Sequence, residues 1–349
     1  SQLGTLSVTG GSGSGSYAEI TSASDQRLTS SAMMLTGSAT DGVYAQVVAR
    51  NQYLNTGATT LTAGTGNGAH ALISATGTDA DTAQYAYPFY PQALQDFRFS
   101  SLILTGMGTA GGNTASARVT SGGAQYFSGS TTRLTAGAGP ASVAEMTAVT
   151  SQSGGLGNVT LAGGSGQDAK ARIEAGTSQS LSSSSITMTG GSAARTLAAI
   201  KAGTSQSFSS GSVSLAGGTA AGASAAIEAG TSQSLSSGNI ALTGGNGAGE
   251  GAWIKAASGQ TLSGSGSVNL IGGTGAAGSG NDASAMIINQ SGTQSIGKGG
   301  GTSIFRSGAD YAAAGIWNAG ASQSVTLGNL TIDTSTGANN GATFGGLYS

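Results

Sequence analysis

The chain has 349 residues, with no cysteine, 63 glycines, 3 prolines and a net charge of −2. Charged residues make up only 7% of it, against roughly a quarter in ordinary domains; this excludes a chain held open by charge, and the twelve scattered Lys and Arg give no reason to expect nucleic acid or an anionic membrane as partner. Without cysteine there is no disulfide or thiolate metal site, no run of about 18 apolar residues offers a membrane span, and if the protein is exported its signal has been removed or lies outside this segment.

Along the chain one unit of 27 residues recurs, most plainly at residues 171–181, 198–208 and 225–235, which are near copies of one another. A fixed period of this size is the mark of stacked repeats. Each unit carries three apolar anchors. The first lies in a β-type alternation that ends on small residues: Val8, Leu35, Leu61, Leu104, Leu134, Leu161, Met188, Leu215, Leu242, Leu270, Phe305 and Ile332. The second follows an Ala-x pattern: Ile20, Val47, Ile73, Val119, Met146, Ile173, Ile200, Ile227, Ile254, Ile287, Ile316 and Phe344. The third follows Gln-x: Leu28, Leu54, Phe127, Leu181, Phe208, Leu235, Leu262, Ile296 and Val325, with Phe97 as a further member and an irregular unit around Ser153 to Leu156.

Three short strands per unit, joined by Gly/Ser/Thr corners, cannot hold a core alone. Stacked at the strand spacing, their anchors form three inward columns. The expected fold is therefore all-β: a single three-sided parallel β-solenoid over 1–349, with about twelve coils. Twelve coils at that spacing predict a rod of roughly 58 Å. Its hand is expected to be right, by analogy with most such solenoids.

Two further columns fix the register. Gln26, Gln52, Gln125, Gln179, Gln206, Gln233, Gln260, Gln294 and Gln323 hold nearly one place in the unit, where stacked amides can bond along the axis. Glu174, Lys201, Glu228 and Lys255 follow the second anchor in successive units with alternating sign. The period breaks at a proline- and aromatic-rich insertion, 77–92, with Tyr85, Tyr87, Phe89 and Tyr90, and at the glycine-rich corner 297–301. Smaller insertions follow Leu104 and Leu270. Insertions emerge at corners and often form a contact face. The aromatic one either docks on a neighbour or a sugar, or folds back over its own solenoid.

The units resemble the repeat region of filamentous-haemagglutinin-like exoproteins of bacterial two-partner secretion. The carriers are Ser212-Val213-Ser214-Leu215-Ala216-Gly217-Gly218, Asn239-Ile240-Ala241-Leu242-Thr243-Gly244-Gly245 and the intervening Ile-x-Ala-Gly segments. The resemblance implies a secreted, cell-surface-associated right-handed β-helix used in adhesion or fibre formation. A secretion-signalling head domain is not recognisable in this chain.

Enzymatic chemistry finds little support. Asp79 and Asp81 are the only close acid pair, and His70 is the only histidine, so neither a paired-carboxylate nor a Ser-His-Asp site can be assembled with ease. Residues 163–168 partly match a calcium turn, but Asp168 does not recur in adjacent units. Thr36, Thr62, Thr105, Thr135, Thr189 and Thr243 form an outward array suited to ice or a crystalline glycan, although threonine is favoured on strands in any case. The expected function is a non-enzymatic, cofactor-free and metal-free structural subunit. It would be a head-to-tail homopolymer joined through its ends, Leu3, Leu6 and Val8 against Ile332, Phe344 and Leu347, with no membrane insertion. Glycans or a host or neighbouring cell surface are further candidate partners. The alternative is a carbohydrate-binding or polysaccharide-cleaving β-helix.

Overall fold

The computed structural model describes residues 3–78, 94–109, 114–246, 249, 251–274, 283–308, 312–333 and 345–348. Among these every regular element is a strand, and the strands pair in parallel with near-constant offset, as a β-solenoid. The chain forms two compact units, one of Ser1–Thr160 with Ser165–Ser182, the other of Leu161–Gly164 with Ser183–Ser349.

In the first unit the expected columns are register partners. Val8, Leu35, Leu61, Leu104 and Leu134 face one another on the first side. Ile20, Val47, Ile73, Val119, Met146 and Ile173 do so on the second. Leu28, Leu54, Phe97, Phe127, Gly154 and Leu181 occupy the third. Gly154 stands where an anchor was missing from the sequence pattern, and the fully buried Leu156 supplies bulk nearby. The period of two decides the faces. In Lys170–Ala175, for example, Ala171, Ile173 and Ala175 point inward while Arg172 and Glu174 stay half-exposed.

The second unit repeats the scheme. Met188, Leu215, Leu242, Leu270, Phe305 and Ile332 form its first column. The second runs Ile200, Ile227, Ile254, Ile287, Ile316 and then Leu347, not Phe344. Gly345–Tyr348 copies the spacing of the strand before it, Ala314–Asn318, and so takes the position that the alternation had assigned three residues earlier; Phe344 lies outside the described residues. The third column holds Phe208, Leu235, Leu262, Ile296 and Val325. The third side thus has eleven strands among the described residues, and a complete coil needs all three sides, so the solenoid has about eleven turns rather than twelve.

Each buried anchor removes roughly 1.5–3 kcal/mol worth of apolar surface from water, but only if coils lie on both sides of it. The corner between first and second sides closes through a left-handed residue in coil after coil: Gly15, Gly42, Gly68, Ala141 and Asp168 in the first unit, and Arg195, Gly222 and Gly249 in the second. The glycine run 297–301 lies within the strand Thr293–Arg306, where it makes an irregularity between Lys298 and Thr302.

Candidate functional site

The glutamines form a buried, one-way row in each unit. In the first, Gln52 donates to Gln26, Gln95 to Gln52, Gln125 to Gln95, Gln152 to Gln125 and Gln179 to Gln152, at 2.7–3.2 Å. In the second, Gln233 donates to Gln206, Gln260 to Gln233, Gln294 to Gln260 and Gln323 to Gln294, at 2.7–2.9 Å. Several of these amides also donate to the carbonyl of the second-side anchor in their own coil, as Gln152 does to Met146 and Gln179 to Ile173. One side chain therefore ties two sides of a coil and two coils together. Gln95 and Gln152 extend the row beyond the sequence reading; Gln95 stands two residues before Phe97, and that spacing was available.

The charge ladder is only partly assembled. Lys201 Nζ lies 3.9 Å from Glu228, a distance worth little at an exposed site. Glu228 and Lys255 are register partners, but the Glu228 carboxylate accepts its hydrogen bond from Trp253 Nε1 at 2.9 Å. Glu174 pairs with Arg172 at 2.7 Å. A tighter cluster went unread in the sequence: the nearly buried Glu145 carboxylate lies 3.1 Å from Arg118 and 2.6 Å from Arg172. Its positions are outward ones on adjacent strands, which the residue spacing allows one to see.

His70 is the third ring of a stack. Tyr17 lies on Tyr44 at 5.2 Å and Tyr44 on His70 at 4.8 Å, with nearly parallel planes. Burial holds the His70 imidazole below its ordinary value, and the Arg118 charge adds to this. Asp168 sits in the left-handed corner turn, and no group of three metal-ligating side chains occurs among the described residues. Thr9, Thr36, Thr62, Thr105 and Thr135 make an unbroken row in the first unit, whereas Ala216 and Ile271 interrupt the corresponding row in the second. Tyr85, Tyr87, Phe89 and Tyr90, with Asp79 and Asp81, lie outside the described residues.

A buried cation appears where the sequence showed only glycines. Lys298 is fully buried. Its ammonium donates to the carbonyls of Ser237, Gly238 and Ser263 and to Ser237 Oγ. Burial pushes it down to about 8, while the ring of oxygens favours the charged form.

The edge residues divide sharply. Val8 is buried, Leu6 is half-buried and the side chain of Leu3 lies outside the description. In the second unit, by contrast, Leu330, Ile332 and Leu347 are 38%, 47% and 44% exposed, although Ile332 and Leu347 continue core columns. Tyr17 is 59% exposed in the first unit. No family model, curated protein or solved structure matches the chain.

Proposed function

We propose that this β-solenoid is a structural subunit of a secreted, surface-associated fibre or adhesin, and that copies associate head to tail. The observation that supports the reading is the parallel stacking itself, in which each coil presents the same three strands to the next at a near-constant offset. In an assembly of this kind strands Ser322–Asp333 and Gly345–Tyr348, with Ile332 and Leu347, would pair with a further coil. Leu3–Thr9 and the start of Tyr17–Thr36 are the matching first- and second-side edges of another copy. The contact is heterologous, so it propagates instead of closing. The scarcity of clustered acids argues for a structural over a hydrolytic role.

Electron microscopy and sedimentation of the purified chain over a concentration series test this. Wild-type protein is expected to form unbranched filaments, and Ile332→Asp to stay monomeric with its coils intact, because that side chain is already half in water. A wild-type chain that remains monomeric at every concentration sinks the proposal.

A further inference from the structure

On the outward side of the second unit, two aromatic rings lie on glycines. A side chain at Gly251 would collide with the Trp253 indole: a Cβ there would stand 2.4 Å from Cζ3 and 2.5 Å from Cε3. Gly251 immediately precedes the strand Ala252–Ala256 and stands two residues before Trp253. The benzo ring is therefore folded back over the backbone of its own strand. Its other end is held by the Nε1 bond to Glu228 in the preceding coil. Ala226, the register partner of Trp253, also points outward yet is only 1% exposed, as expected beneath a ring spread across the sheet. Tyr348 repeats the device: a Cβ at Gly315, one coil earlier, would stand 2.9 Å from its Cε2.

A ring laid flat on a sheet presents its π-face to solvent, and holding it there leaves little side-chain entropy to lose on binding. On the side of the preceding coils the surroundings are polar: Glu228 and Lys255 hold adjacent outward register positions, and Lys201 lies one coil beyond Glu228. They supply both donors and acceptors with little net charge. We propose that the Trp253 platform binds a neutral polysaccharide of linked pyranose rings. The apolar C–H face of a sugar covers the indole, and its hydroxylated rim meets Glu228, Lys201 and Lys255. Met286 and Ile288 in the next coil and Trp317 in the one after also face outward, so a second copy of the chain on this face is the competing outcome that sedimentation reads. This site does not depend on head-to-tail assembly.

The test is tryptophan fluorescence and calorimetry with cellohexaose, chitohexaose and mannohexaose. The Trp317→Phe background leaves Trp253 as the sole reporter. A saturable fluorescence change is expected with at least one of the three sugars. Trp253→Ala should weaken binding about tenfold or more. Gly251→Ala, which forces the ring off the sheet, should do likewise without removing it. Leu72→Ala, outward on the first unit, should have no effect. Running the same titration on Ile332→Asp separates this site from filament formation: binding persists there even if assembly is lost, and persists if the wild type never assembles. The proposal is overturned if none of the three sugars binds, or if Trp253→Ala and Gly251→Ala bind as well as the parent. It is equally overturned if those variants change only sedimentation, which would assign the surface to a second copy of the chain.

Discussion

Two corners between the third and first sides solve one problem with opposite chemistry. In the first unit Phe99, 5% exposed, turns inward at this corner, and Gly129 in the next coil leaves it room: a Cβ at Gly129 would stand 1.9 Å from the ring. In the second unit Lys298 turns inward, and Gly264 in the preceding coil gives way, with a Cβ position 3.2 Å from the ammonium. Elsewhere the corner is occupied by small polar residues such as Ser210 and Ser237. A column of this width thus accepts one large side chain only where an adjacent coil surrenders its own. Phe99 then needs nothing more, because packing satisfies it. Lys298 also needs oxygens, and it takes them from backbone carbonyls that the corner turns inward.

The comparison can be broken most forcefully at the glycines. Gly264→Ala should cost about 3 kcal/mol or more, because its φ of 123° and the Ser237 carbonyl 1.9 Å away leave only backbone to move. Gly129→Ala meets a ring that can tilt, and should cost about 1–3 kcal/mol. Denaturant unfolding that ranks the two the other way would refute the argument. Next come the intruders themselves. Lys298→Met removes the donor from three carbonyls and a hydroxyl and should cost about 2 kcal/mol, whereas Phe99→Leu, which leaves no polar group stranded, should cost about 1 kcal/mol.

The pH dependence sharpens the contrast. The folded value of Lys298, about 8, lies below its ordinary 10.5. The unfolded chain therefore binds more protons between these values, and stability rises with pH across that window. Below about 8 both states carry the proton and this contribution is flat. Lys298→Met should abolish the rise while Phe99→Leu keeps it. The smallest effect belongs to the other corner. Ala141 has φ 53° where most of its counterparts are glycine, so Ala141→Gly should stabilise the protein by about 0.5 kcal/mol, the relief of left-handed strain less the added chain entropy. Thermal melts resolve its sign.

The inward columns were legible because a repeating core needs the same residue class at the same step, and Leu35 to Leu61 or Ile200 to Ile227 says so directly. The missed positions fall where the step changes: Gln95 sits beyond the long insertion, and Gln152 precedes Gly154 instead of an aliphatic. Lys298 was illegible for a different reason. Its partners are main-chain oxygens of Ser237 and Gly238, some sixty residues earlier, and main chain leaves no mark in a sequence. The aromatic platforms had a signal that was overlooked. Gly251-Ala252-Trp253 and Gly346-Leu347-Tyr348 both place a glycine two residues before a ring.

Every amide in the two glutamine rows points its N–H toward the lower-numbered neighbour. Dipoles set in file in this way add, so each row behaves as a small permanently poled filament with unlike ends. Reversing one glutamine would put two donors or two acceptors face to face, and correcting that would require its neighbours to reverse as well. Each row therefore carries an arrow as well as a register. Two such rows that met with opposed arrows would find donor against donor or acceptor against acceptor, and only one sense of joining would let the file run on.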